Sequence, residues 1–506
     1  MAAGTMVELV AARNDIDCTD QLEIFEGYQK VFVVNGTNLK IIDFVNTKLT
    51  VTALTTAPTR GSIVTQATSN ATMVVDFVNA AKTEIYGKTT SGTFVTTAGY
   101  TLSGGSMDPE TRVPSAVAEA STTPHWYDYV VYPDGASGSL PNSAYLGCLY
   151  RGRIVLSGNS NYPHQWYMSR QADHTDWAYV ANDAQSPVAG NNSDAGEVGD
   201  IIRCLIPYKD DYLVFGCANS IWVLRGDPAI GGSLDEVSLT VGIHGSRSWC
   251  FDGNGNLYFW GTGGIYRLKR DFTGVENVSR VALPELITDE NPNPSTYRVS
   301  MAYDRKRQGI VICVTKLADG TSSNYFYDLL VGGFYPESYP TNCGVYSSFY
   351  YAANDDTYSG LLLGCKDGYI RVFKDSAKDD DNGVSDTAIS SYILYPVIQL
   401  SSPDHESKLT SLIVELAGGA AGGAFSDTDG VTLDLFSGDD AETVVEDVKD
   451  GATSFSTTVL SGTGRKNKLR PRTRGAFVGL KFSNSTASET WSINRVLYET
   501  VKAGRV

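Results

Sequence analysis

The sequence predicts an all-β protein: a β-propeller of about six blades with an inserted small β-barrel and a C-terminal β-sandwich-like domain. Three observations predict it. Of 506 residues only 19% are charged and 11% aromatic, with 29 Tyr and 50 Gly, a balance suited to short strands joined by tight turns. Long helical patterns of Ala, Glu, Lys and Leu are missing. A strand–turn–strand unit recurs, from its second instance onward, at roughly 45 to 60 residues, close to the period of a four-stranded blade.

The units follow one another along the chain. The first, "YQKVFVVNGTNLKIIDF" (28–44), is followed by "YLGCLYRGRIVLSGN" (145–159), "YKDDYLVFGCANSIWVLRGDP" (208–228) and "SWCFDGNGNLYFWGTGGIYRL" (248–268). Next come "SMAYDRKRQGIVICVTK" (300–316) with "NYFYDLLVGGFYP" (324–336), then "GLLLGCKDGYIRVF" (360–373). Residues 1–56 are assigned to an N-terminal segment and first blade, and 141–380 to the remaining blades. Between them, 57–140 reads as the inserted barrel, because "RGSIVTQATSNATMVVDFVNAAKTEIYGKTTSGTFV" (60–95) is a series of short Thr/Val/Ile strands. The charged, turn-forming "KDSAKDDDNGVSD" (374–386) marks the boundary to 386–506. There five strands, 391–400, 409–417, 431–439, 475–484 and 490–501, are separated by polar, Gly-rich links, as in a small sandwich.

The net charge of −17 argues against a duplex-gripping protein, whose affinity comes from neutralising phosphates. No basic start followed by an apolar run opens the chain, and no stretch long enough to span a membrane as a helix occurs. The eight cysteines are scattered without a CxxC pair; they read as buried reduced thiols of a protein made in a cytoplasm, not as zinc ligands.

The glycines of 252–264 invite a phosphate-loop reading and fail it. Gly261-Thr-Gly263 is followed by another strand, with no third glycine at the required position and no helix to receive a phosphate. "DGNGN" (252–256) also fails as a calcium loop, since Leu257 stands where glycine is required and no Glu closes it. Both stretches read as turns needing positive φ. Five histidines (125, 164, 174, 244 and 405) form no metal-protease motif. Abundant carboxylates leave a glycosidase pair open. One run stands against the acidic total: "RKNKLRPRTR" (465–474), with Arg465, Lys466, Lys468, Arg470, Arg472 and Arg474. It is a candidate contact for an acidic subunit or partner, with nucleic acid or bare solvent as alternatives.

The order of elements carries a resemblance. A hairpin with an Arg-Gly-Arg turn leads to "WYMSR" (166–170), "DWAYV" (176–180), an acidic Gly-rich loop and the "YKDDYLVF" hairpin ending in "WVLRGD". "GNLYFWGTGGIYRL" (255–268) then closes the core. This looks like the tail nozzle (tail tubular) proteins of short-tailed bacteriophages, covering about residues 143–373 well and the C-terminal sandwich more loosely. The segment before the first blade is shorter than that resemblance expects. The resemblance implies a virion structural protein with no catalytic role, no cofactor and no small-molecule substrate; no residues are singled out as metal ligands, and whether a structural ion is bound stays open. It implies a homo-hexamer in the tail, below the portal and adaptor proteins and in contact with tail fibre or needle proteins, through which double-stranded DNA passes without being gripped. Six copies would carry about −102, and Asp379, Asp380 and Asp381 are the expected acidic loop at the channel or tip. A receptor- or glycan-binding propeller is the alternative, and a hydrolase propeller a second.

Overall fold

The computed structural model describes residues 15–17, 21–107, 112–120, 124–131, 138–179, 183–340, 343–355, 358–374, 377–381, 386–401, 405–417, 430–460 and 466–505. Six sheets follow one another in chain order, each strand hydrogen-bonded to the next, as in propeller blades. The first has Glu23–Gly27, Lys30–Val34, Leu39–Asp43 and His125–Asp128; the second Leu146–Tyr150, Arg153–Asn159, Tyr162–Met168 and Val188–Ala189. The third has Ile202–Tyr208, Tyr212–Cys217, Ile221–Arg225 and Ser233–Ser238; the fourth Trp249–Phe251, Leu257–Gly261, Gly264–Leu268 and Val275–Asn277. The fifth has Tyr297–Asp304, Gly309–Lys316, Ser322–Asp328 and Gly333–Glu337; the sixth has three strands, Val345–Tyr351, Gly360–Cys365 and Ile370–Val372.

Burial explains why the second strands read as unbroken apolar runs. Gly309–Lys316 is buried at seven of its eight positions and Leu257–Gly261 at all five, because a blade is covered on both faces by its neighbours. Odd and even residues of one strand therefore serve different cores. Leu213 and Phe215 pack toward the second blade with Trp166, while Val214 packs toward the fourth with Leu257 and Phe259. Outer strands such as Ser233–Ser238 are only half-buried and polar. The glycine-rich stretch makes the two turns that its sequence predicts. The Asp252 carboxylate accepts from the Asn254 and Asn256 amides at 2.8 Å each, and Gly264 sits at φ 129°. Cys148, Cys204, Cys217, Cys250, Cys313 and Cys343 are buried thiols.

The inserted sheet has six strands in the order Leu102–Gly104, Ile63–Gln66, Thr72–Val78, Glu84–Ser91, Thr47–Thr50 and Ala116–Ala118. Its curled sheet closes over Leu49, Val64, Met73, Val75, Ile85, Phe94 and Leu102. Two boundaries differ from the sequence reading. The insert starts at Thr47, inside 1–56, and the fourth strand of the first blade comes from within 57–140. His125–Asp128 pairs with Leu39–Asp43, and Tyr127 buries its ring beside Phe77 and Tyr86 of the insert. The blade is thus completed only after the chain returns from the insert.

By compactness the chain divides into 1–318 with 325–335 and 345–364, and 319–324 with 336–344 and 365–506. In the second unit two sheets face each other. One has the order Ser391–Gln399, Phe477–Asn484, Thr432–Gly438, Ser456–Val459. In the other, His405–Leu416 pairs along one edge with Lys466–Leu469 and Thr473–Gly475, and along the other with Ile493–Arg505. Leu409, Leu412 and Val414 meet Leu433, Leu435, Val478 and Phe482 between the sheets, forming a sandwich. The five strands read from the sequence are all present. A helix not read from it, Ala441–Asp450, covers the outer face of one sheet through Val444 and Val448.

Candidate functional site

The first strands of the blades build a site that no motif announced. Gln21 precedes the first strand of blade one, Tyr145 and Leu146 open blade two, and Ile201 and Arg203 open blade three. His244, Gly245, Ser246 and Arg247 lead into blade four, and Tyr297, Arg298 and Val299 open blade five. Together they line a cavity of about 220 Å³. Five consecutive blades contribute the same structural position, which places the cavity at the propeller axis.

Its lining is basic. Arg203, Arg247 and Arg298 all contribute to it. Arg247 reaches Glu23 at 3.5 Å; burial raises the Glu23 carboxyl above its ordinary value, while Arg247 and a hydrogen bond with Ser246 pull the other way. Arg298 lies 4.7 Å from the centre of the Tyr346 ring, a cation–π contact. Burial, and then the neighbouring Arg247 charge, disfavour its protonated form, although a guanidinium keeps its proton at neutral pH. Among the described residues neither Arg203 nor Arg298 makes a salt bridge. His244 adds no charge near neutrality: burial pushes its imidazole down to about 4, against a contact with the Pro292 carbonyl, which lies 3.2 Å from Nε2.

A second charged cluster is closed rather than open. Lys30 contacts the Asp76 carboxylate and lies 3.8 Å from Asp43 and 3.4 Å from Nε2 of His174. Asn46 donates to Asp43 at 2.7 Å and to Asp76 at 2.9 Å. Arg60 bridges Asp76 and Asp173. Lys30 and His174 are 3% and 1% exposed, so the centre of the cluster is buried, and it ties the insert to the first and second blades. His174, one of the five histidines without a motif, stacks on Tyr28 with ring centres 5.0 Å apart. Burial, then the Lys30 charge, push its imidazole well below the ordinary value.

The residues singled out in sequence lie elsewhere. The basic run is not one loop: Lys466–Leu469 and Thr473–Gly475 are strands on the same edge of His405–Leu416. Arg472 between them has φ 54°. Lys466, Lys468, Arg470, Arg472 and Arg474 are exposed, and Arg474 pairs with Glu406. Arg465 lies outside the described residues. Asp379–Asp381 is a short strand paired with Asp386–Ala388, not a loop. The Asp379 carboxylate accepts from the Ser488 amide at 2.8 Å and 2.9 Å, and burial raises Asp380 to about 6. The charges that sequence placed together are therefore partly spent on contacts with distant residues, Ser488 for Asp379 and Glu406 for Arg474. The three arginines that do converge are 44 and 51 residues apart along the chain, a separation that only blade stacking brings into contact distance of one cavity.

No family model and no curated protein matches the chain. Among solved structures it is similar to an exo-β-1,3-galactanase from Phanerochaete chrysosporium, at 10% identity over 73% of this chain and 100% of that one, with a TM-score of 0.23. It is also similar to a glycoside hydrolase, at 10% identity over 70% and 96% of the two chains and a TM-score of 0.22. A third is a quinonprotein alcohol dehydrogenase-like protein from Bacteroides thetaiotaomicron, at 11% identity over 62% and 64% and a TM-score of 0.25. The sequence reading that the chain has no enzymatic activity is corrected by these neighbours, two of which are glycoside hydrolases, and that exclusion is withdrawn. At such TM-scores the likeness assigns no activity, substrate or catalytic residue to this chain.

Proposed function

We propose that this chain is a structural subunit of a short-tailed bacteriophage virion, a tail nozzle protein that assembles with copies of itself into a ring around the path of the ejected DNA. The observation that carries its self-assembly is an apolar edge strand. Ser391–Gln399 is the outermost strand of its sheet, and Tyr392, Ile393, Leu394 and Tyr395 are 54%, 44%, 37% and 40% exposed. An exposed apolar edge is a template for pairing with another chain. Leu497, Tyr498 and Val501, on the edge strand of the partner sheet, are exposed as well.

The nozzle identity itself rests on the order of hairpins across 143–373, and six copies as the ring number rest on the same resemblance. Supporting it is the charge of −17 per chain, suited to a wall that duplex DNA passes without adhering. In this reading portal and adaptor proteins sit above the ring and fibre or needle proteins beside it, in a virion assembled in the host cytoplasm. Electron microscopy of the purified full chain tests it. A sixfold ring with an axial channel of roughly 20 Å or more, the width of a duplex, is the expected outcome; a monomer at micromolar concentration removes the reading. The basic cavity on the propeller axis favours a second reading, a propeller that binds an acidic ligand such as a host glycan, for which a monomer or trimer is expected in the same images.

A further inference from the structure

We infer that the axial cavity is a binding site for a small oxyanion, a carboxylate such as that of a sugar acid or a phosphate group. The inference is independent of how the chain assembles. Arg203, Arg247 and Arg298 line one cavity, and among the described residues Arg247 alone of the three forms an ion pair, with Glu23. With His244 neutral by burial, Arg203 and Arg298 bring positive charge that no carboxylate among the described residues offsets. Like charges held together in a half-buried space repel, and an anion between them removes that repulsion. The guanidinium fork matches the two oxygens of a carboxylate or phosphate. Gln21, whose Nε2 bonds the Ser246 hydroxyl, and the Tyr145 ring supply a polar and an apolar wall.

Size sets the ligand class. A volume of about 220 Å³ is enough for a phosphate or a sugar acid. The site stands out in a chain of net charge −17, where basic residues drawn into a concavity concentrate an anion that the rest of the surface repels.

Calorimetric titration of the full chain with D-glucuronate, inorganic phosphate and D-glucose, at ionic strength fixed with sodium chloride, tests the inference. Saturable binding of glucuronate, phosphate or both, with glucose at least tenfold weaker, is expected, and the tighter of the two anions identifies which group the site takes. Arg203→Gln and Arg298→Gln should each weaken binding tenfold or more, and Arg203→Lys less than Arg203→Gln. Thermal melts of the three variants check that each is folded, and the Lys variant keeps the charge if a Gln variant is not. Binding of neither anion, or folded Gln variants that bind like the parent, would overturn the assignment.

Discussion

Arg153 shows how far a residue's role lies from its motif. In sequence it ends an Arg-Gly-Arg turn; in the fold it opens a strand and is fully buried. Its Nε donates to Asp227 at 3.2 Å, and its other nitrogens donate to the carbonyls of Ser169, Ala184, Gln185 and Ser186. Arg153→Met would leave the Asp227 carboxylate buried without its charge partner and should cost about 3–5 kcal/mol, read as a lowered urea midpoint; a loss under 1 kcal/mol would mean the network is dispensable. The buried histidines predict an acid sensitivity. His174 and His244 are held below the ordinary value mainly by burial, so the folded state prefers them neutral. Their contribution is complete above about pH 6.5 and is lost as pH falls, for His244 toward about 4. Asp76 adds to this below the ordinary carboxylate value: burial raises its carboxyl, but Lys30, His174 and Asn46 outweigh burial and hold it low. The urea midpoint should therefore fall steadily between pH 7 and pH 4; a flat profile would contradict these protonation states.

At the scale of elements, turns and caps predict local costs. Gly264 has φ 129°, and a Cβ there would lie 2.4 Å from the Ser279 hydroxyl, which accepts the Ile265 amide at 3.0 Å. Gly264→Ala should cost about 1–3 kcal/mol, measured by thermal melting, because the glycine serves a blade corner. The helix Ala441–Asp450 is held at its start by Asp440, whose carboxylate accepts the Thr443 amide at 3.0 Å. Asp440→Ala should lose about 1 kcal/mol, seen in the same assay; no change would show that packing of Val444 and Val448 alone holds the helix. That helix escaped the sequence reading because only two of its ten residues are buried, too few to make a periodic apolar stripe. The basic run was legible as charge but not as strands, since "RKNKLRPRTR" carries Leu469 as its one large apolar side chain and a proline at 471.

For the whole molecule, the prediction concerns assembly. Replacing Tyr395 by Asp puts a charge on the apolar edge strand Ser391–Gln399, and should convert a ring to monomers in size-exclusion chromatography while leaving the thermal melt near that of the parent. A ring that persists would move the interface elsewhere, with Leu497, Tyr498 and Val501 the next surface to test. The all-β class, the blade hairpins, the glycine turns and the sandwich strands were determined by the sequence alone. They depend on the period of two in side-chain direction and on turn chemistry, both of which act between near neighbours. What only the tertiary structure decided is where distant charges meet. His125–Asp128 returns after the insert to close the first blade, and Asp76, Lys30 and His174 converge from three separate segments. Arg203, Arg247 and Arg298 come to one cavity because equivalent strands of successive blades converge on one axis. No local pattern encodes that convergence, since it arises from the packing of one blade's apolar face on the next.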